Sequence, residues 1–470
     1  MKIAIIGAAG VRTPQLVKAL FHYKDELQLT AIHLMDIDEQ RLQNMGLIVK
    51  ELGAKLAPSV RLLFTGDAGT ALRGIDYAFF SIRVGSINSR VLDEQTPLKH
   101  GVLGQETTGP GGFAMALRTV PVMKKYLEIL SAESPQAWAI NLTNPAGLIT
   151  QALAEEGFKQ VIGICDSPTE LFKDIAAALE KNPDDLWFDY FGINHLGWIK
   201  RILYKGKDIL PEVLQNDRAL LRHDREMIPP DFIRSLGVIP NEYLMFYYRT
   251  RDIVESLQGA GITRAMVIDE LNKLLFAALQ ELADTPPDRK EAYQIYQHYS
   301  RARDKTYMQL ETDKTMGAAE KELEILIERV WEESKEGPVN SNEEPAGYSG
   351  IALQVLRALS GTKTAITTVN TVNGSAISCL EPADIVEIQC FIDQNGVHPY
   401  QVEGPIPEHC RGLLQAVKAY ERLATKAALT QSYDLALQAL ATHPLVPDAL
   451  VAKEVLDDLC LVHKDFLALH

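Results

Sequence analysis

Cys165 and His195 close two short apolar runs, Val161-Ile162-Gly163-Ile164-Cys165 and Tyr190-Phe191-Gly192-Ile193-Asn194-His195. A thiolate and an imidazole at two such strand ends form a candidate metal pair of soft donors. Two protein ligands leave coordination positions free for a substrate, the pattern of a catalytic rather than a structural ion. Taken singly, Cys165 reads equally as a small buried hydrophobe and His195 as a satisfied structural histidine, and the spacing alone leaves both readings open. Tyr243 sits among Phe246, Tyr247 and Tyr248, a pattern that by itself reads as a core or interface patch. A tyrosine serves as a base only where a nearby cation lowers its pKa.

These side chains need a scaffold, and the N-terminus supplies its outline. Lys2 to Ile6 is a β-branched run, followed by Gly7-Ala8-Ala9-Gly10 and a helix pattern from about Thr13 to Tyr23, with Pro14 in the first turn. Gly7, Ala9, Gly10, Val11 and Arg12 are therefore a candidate cofactor loop, with the helix N-terminus facing a pyrophosphate. The motif is not a clean G-x-G-x-x-G, because Ala9 stands at the middle glycine. Leu29 to Asp36 reads as the second strand, and Asp36 as the ribose carboxylate, favouring NAD over NADP. Tyr77 to Ile82 and Trp138 to Leu142 read as further strands, the latter followed by Thr143-Asn144-Pro145. Helical segments between them predict an α/β unit, a doubly wound Rossmann-type parallel sheet, over residues 1–165. Residues 166–470 are expected to form a mixed α+β substrate and oligomerisation domain. Within it, Arg218 to Lys335 and Arg411 to Leu440 read as helical, Ile385 to Phe391 as a strand, and Glu336 to Ala346 as a polar loop. The glycine-rich stretch Gly101 to Gly112 reads as a mobile loop over a site rather than a packed element.

Composition narrows the partners. A net charge of −15 over 470 residues argues against nucleic acid or an anionic membrane. An anionic substrate must then be met by a local cluster, for which Arg12, Arg83, Arg90 and Lys99 are candidates. The five cysteines are scattered and odd in number, so no disulfide framework is implied. No apolar run reaches transmembrane length. Met1-Lys2 leads straight into a strand without a signal sequence, so a reducing cytoplasm is the expected location.

Several stretches together carry a family resemblance. They are Ile82-Arg83-Val84-Gly85, Arg90 with Asp93-Glu94, Gly104-Gln105-Glu106-Thr107-Thr108-Gly109-Pro110-Gly111-Gly112-Phe113 and Asn144-Pro145. Cys165-Asp166-Ser167-Pro168, Gly192-Ile193-Asn194-His195-Leu196-Gly197-Trp198, Ile239-Pro240 with Tyr243-Leu244, and Gln415 to Glu421 continue the series. Along nearly its whole length the chain resembles the NAD- and divalent-metal-dependent family-4 glycoside hydrolases, most closely their 6-phospho-β-glucosidase branch. This family departs from the two-carboxylate rule of glycosidases. The resemblance implies a lactate/malate dehydrogenase-like dinucleotide domain and a homodimer or homotetramer. It also implies that NAD takes hydride from C3 of the sugar, that the C2 proton is then removed, and that the aglycone leaves by elimination before water adds and hydride returns. Cys165 and His195 match the positions that hold the metal, usually manganese, and Tyr243 the position that removes the C2 proton. Arg83 joins the cofactor contacts, and Arg90, Glu106, Asn144 and Asn194 the substrate contacts.

Four departures mark this chain. Its loop is Gly7-Ala8-Ala9-Gly10 where Gly-Gly-Gly-Ser is familiar, and Arg12 stands where many members have tyrosine. Glu344-Pro345-Ala346-Gly347 replaces the usual Arg-Gly-Gly before Tyr348-Ser349, removing a basic residue. Asp166 follows Cys165, where the β-branch often has asparagine and the phospho-α-glucosidases aspartate; a carboxylic acid there can protonate a leaving group. Enzymes of 6-phospho-α-glucosides or unphosphorylated glycosides are the alternatives within the family. A 2-hydroxy-acid dehydrogenase and a catalytically dead NAD sensor are those outside it.

Overall fold

The structure, a computed structural model, describes residues 1–222, 225–283, 291–312, 322–335 and 345–470. Six parallel strands come first in the chain. They are β1 (Lys2–Ile6), β2 (Ala31–Met35), β3 (Arg61–Thr65), β4 (Tyr77–Phe80), β5 (Trp138–Asn141) and β6 (Val161–Gly163). Their spatial order is β3-β2-β1-β4-β5-β6, the order of a Rossmann sheet that reverses direction beside its first strand. β1 pairs with β2 from Lys2↔Ala31 and with β4 from Ile3↔Tyr77. β4 is buried along its whole length, which is why it reads as an unbroken apolar run: helices cover both faces of a parallel sheet.

The sheet does not end with β6. A hairpin, β7 (Leu186–Ile193) and β8 (Leu196–Tyr204), with short partners β9 (Lys207–Asp208) and β10 (Ile239–Pro240), forms a separate small sheet. β11 (Ala365–Val372), β12 (Ile385–Asp393) and β13 (Gly396–Pro399) then return to the first sheet as antiparallel strands, β11 meeting β6 at Asn370↔Gly163. The result is one nine-stranded mixed sheet among the described residues. Glu387 on β12 accepts hydrogen bonds from Tyr190 (3.1 Å) and Asn194 (2.9 Å). The hairpin tip, which carries His195, is thereby pinned beside the end of β6, which carries Cys165.

Two expectations need correction. Gly101 to Gly112 borders a cavity with Gly104 to Glu106 but is a packed element: its last four residues open the long helix Gly109–Glu133, and Val102, Leu103 and Gly109 to Gly112 are buried. A Cβ on Gly104 would lie 1.7 Å from the Glu94 carbonyl oxygen, so glycine here allows close backbone packing. The helical run Arg411 to Leu440 is two helices, Glu408–Thr430 and Tyr433–Thr442, separated at Gln431 by a left-handed residue (φ 54°). Of the polar stretch Glu336 to Ala346, all but Pro345 and Ala346 lie outside the described residues.

Candidate functional site

The dinucleotide loop takes the shape its sequence predicts. Gly7 has φ +88°, and a Cβ there would lie 2.3 Å from the Ser81 carbonyl oxygen at the end of β4, so only glycine fits. Asp36 accepts from the Ala9 N–H (2.9 Å) and the Asp38 N–H (3.0 Å). Burial raises its pKa above the ordinary carboxylate value, against those two bonds. Ile37 beside it is 80 % exposed, an apolar face next to the carboxylate. A glycine-walled cradle, an acid at the end of β2 and this apolar neighbour fit a dinucleotide. Val11 and Arg12 hold the loop to the rest of the protein: the Val11 carbonyl accepts from the Tyr296 hydroxyl (2.8 Å), and Arg12 Nη1 donates to Leu142 O (3.0 Å). Asp36→Ala is expected to weaken NAD binding by at least ~10-fold, the order of one lost hydrogen bond to a charged group. Isothermal titration with NAD checks this, and an unaltered dissociation constant would place the ribose elsewhere.

Cys165 and His195, far apart in sequence, meet in space. Sγ lies 3.2 Å from Nε2, and both residues are buried. His195 occupies the tip of the β7–β8 hairpin with φ +62°, a left-handed conformation that costs a non-glycine residue energy and concentrates at functional sites. A gap of 3.2 Å between donors is one a single cation can bridge at bond lengths of roughly 2.3 Å to sulfur and 2.1 Å to nitrogen. Burial pushes the Cys165 thiol well above its usual pKa, and Glu387 and Asp166 add to this. Burial also holds His195 neutral, with a pKa lowered to about 3. A neutral imidazole is a ready ligand, and a thiolate at this depth requires a cation, so the donor pair fits a divalent metal. Among the described residues no cluster of three or more His, Cys, Asp or Glu that could hold a metal is formed.

Two tyrosines wall this pair off. The Tyr243 ring stacks on His195 with centroids 3.7 Å apart and planes 12° from parallel. The Tyr348 hydroxyl points at Cys165 Sγ (3.7 Å), and the Arg12 guanidinium lies over the Tyr348 ring at 3.8 Å. Both tyrosines line a cavity of about 560 Å³. Arg12, Arg90, Glu106, Asn144 and Asp166, all predicted site residues, line it as well. Buried Asn144 presents an Oδ1 without a hydrogen-bond partner, an acceptor ready for a hydroxyl. Glu106 is ion-paired with Arg83 and with Arg90 Nη1 (3.1 Å). Burial opposes its charge, but the two arginines outweigh burial and hold the carboxyl far below its usual pKa. Burial raises Asp166 to about 6, against the pull of Arg12.

Other predicted residues have different surroundings. Asn194 directs its amide to Glu387 and accepts from the Gly147 N–H (3.5 Å), which ties the hairpin to the start of helix Ala146–Glu155. Lys99 is exposed at the last turn of helix Ser86–Lys99. Among the wall residues that sequence reasoning missed are Glu242, Arg264, Arg303 and Tyr307. No spacing marked them, because two helices distant in sequence, and the turn after the second, bring the two arginines and Tyr307 to the cavity. Glu242 had the one usable signal, its place beside Tyr243.

Known proteins resemble this chain along nearly its whole length. Residues 2–181 match the model of the family 4 glycosyl hydrolases, and residues 190–446 that of the family 4 glycosyl hydrolase C-terminal domain. A probable 6-phospho-β-glucosidase of Bacillus subtilis is 31% identical over 99% of this chain and 97% of its own. A 6-phospho-α-glucosidase of Leptotrichia buccalis is 27% identical over 99% and 98%. A structure of the 6-phospho-β-glucosidase from Thermotoga maritima with manganese, NAD+ and glucose-6-phosphate superposes with a TM-score of 0.79, at 26% identity and full coverage of both chains. With both parts of the family model matched in order, and relatives aligned end to end, this chain belongs to glycosyl hydrolase family 4.

Proposed function

We propose that this chain hydrolyses 6-phospho-β-glucosides by transient oxidation at C3, removal of the C2 proton, elimination of the aglycone and addition of water. The observation that carries the reading is the Cys165–His195 donor pair with Tyr243 stacked on it at the cavity wall. When bound, NAD supplies a reversible hydride acceptor at C3, and a divalent metal, manganese foremost, a Lewis acid for the C2 and C3 oxygens.

The chain's own groups do the rest. Tyr243 Oη takes the C2 proton. Burial holds its pKa well above the usual phenol value, opposed by a hydrogen bond donated from the Tyr307 hydroxyl (3.5 Å). A divalent cation held by Cys165 and His195 would favour the phenolate against that burial. Arg90 and Asn144 hold the sugar, and Glu106, kept ionised, fixes the two arginines beside it. Arg90, Arg264 and Arg303 line one cavity, giving an acidic protein the local positive charge that a phosphorylated sugar requires. Asp166 stands ready to protonate the departing oxygen. Residues 1–165 carry the dinucleotide, and residues 166–470 complete the substrate site and the contacts of a homodimer or homotetramer. No helix among the described residues is long and apolar enough to cross a membrane, in keeping with action in the cytoplasm.

Asp166 favours a second reading, hydrolysis of 6-phospho-α-glucosides, because a protonatable carboxyl follows the metal-ligand cysteine. One assay tests both. Release of 4-nitrophenol from its β-glucoside 6-phosphate is followed with NAD, Mn2+ and a reductant present, each omitted in turn. The expected result is turnover lost without NAD or without metal, and no net NADH. Greater turnover of the α-anomer would transfer the assignment to the second reading. Accumulating NADH without metal dependence would instead identify a dehydrogenase.

A further inference from the structure

We infer that Thr107 is a positioning residue for the metal centre: its hydroxyl fixes the His195 tautomer that leaves Nε2 free to bind a cation beside Cys165 Sγ. The inference rests on the metal-dependent reading above. It comes from the direction of three hydrogen bonds. Gln105 Oε1 accepts from the Thr107 N–H (2.7 Å) and the Thr108 N–H (2.8 Å). Two backbone donors on one atom identify it as the amide oxygen, an acceptor only. The Thr107 hydroxyl also lies 2.9 Å from this oxygen and can only donate to it. A hydroxyl has one proton, and that proton is now committed.

Thr107 Oγ1 lies 2.6 Å from His195 Nδ1. With its proton spent on Gln105, the oxygen must accept, so Nδ1 carries the imidazole hydrogen. An imidazole that binds a cation through one nitrogen carries its single N–H on the other. Nε2 is then the unprotonated nitrogen, and it faces Cys165 Sγ at 3.2 Å. The opposite tautomer would place a hydrogen between nitrogen and sulfur where a cation has to sit. The loop Gly104 to Thr108 thus orients a ligand it does not contact through any charged group. Partners of this kind, bound to the distal nitrogen of a ligand histidine, typically alter metal affinity by ~10–100-fold.

The experiment titrates Mn2+ into wild-type, Thr107→Val and Thr107→Ser proteins, reading free Mn2+ by its EPR signal and NAD binding separately by calorimetry. Valine keeps the shape of threonine and removes the acceptor; serine keeps the acceptor. The expected result is a Mn2+ dissociation constant raised ~10–100-fold by valine and held near wild type by serine, with NAD affinity unchanged in both. Equal Mn2+ affinity in the valine and wild-type proteins would overturn the inference while leaving the metal reading intact. Weakening by serine equal to that by valine would also overturn it, because the hydroxyl would then not be the operative group. Wild-type protein that binds no Mn2+ would instead remove the metal reading itself. Should the valine protein not fold, Thr107→Ala replaces it under the same criteria.

Discussion

Cys165→Ala is expected to lose Mn2+ binding and to lower glycoside turnover by at least ~10³-fold, since a metal acting on developing oxyanions supplies several kcal/mol. NAD affinity should not change, because Gly7, Asp36 and Ile37 follow β1 and β2, three and four strands away from β6 along the carboxyl edge of the sheet, and share no hydrogen bond with Cys165. The protein should also fold: removing one buried sulfur costs on the order of 1 kcal/mol, the scale of one buried methylene. Metal affinity by EPR, NAD affinity by calorimetry and turnover together check the three parts. Activity retained by the alanine protein in metal-depleted buffer would remove the thiolate from the chemistry. The prediction is sharp because His195 alone, a neutral nitrogen donor, offers an ion no protein charge to neutralise it.

The sequence carried different parts of this architecture with different clarity. β1, β2, β4 and β5 were legible to within two residues, because strands buried on both faces leave unbroken apolar runs and the first turn needs Gly7. β3 was not: it is a sheet-edge strand whose residues, from Arg61 to Thr65, are all exposed or half-buried, so its apolar pattern is weak. β11 to β13 were hidden more deeply. Ile385 to Phe391 reads as a strand, but nothing in its pattern says that β11 will pair with β6 about two hundred residues upstream. That pairing is a tertiary fact, and it sets the distance between Cys165 and His195. The residue types of the metal pair were legible; that they meet depends on Glu387 of β12 gripping Asn194. Gly101 to Gly112 shows the converse error. Glycine was read as freedom, whereas Gly104 provides close contact with the Glu94 backbone, and the close-packed loop that results brings Thr107 to His195.

Tyr243→Phe carries the second large effect: exchange of the C2 proton and overall turnover should both fall by ~10²–10⁴-fold, the range of a lost general base. The substitution is informative because it separates packing from chemistry. The stacked arrangement on His195, 3.7 Å between centroids, depends on the ring and should survive. The Tyr307 hydroxyl loses only a long contact of 3.5 Å. Metal and NAD affinities should therefore stay at wild-type values, and the loss should appear in kcat rather than in binding. Deuterium incorporation at C2 in D2O, followed by proton NMR, measures the step directly, since exchange requires only oxidation at C3 and removal of the proton. Exchange at the wild-type rate would exclude the phenol as base. Asp166 would not automatically replace it: Asp166→Asn should slow release of poor leaving groups while leaving C2 exchange untouched. Two variants thus divide the reaction at the elimination step, with the phenol on one side of the sugar's C2–H bond and the carboxyl at the departing oxygen.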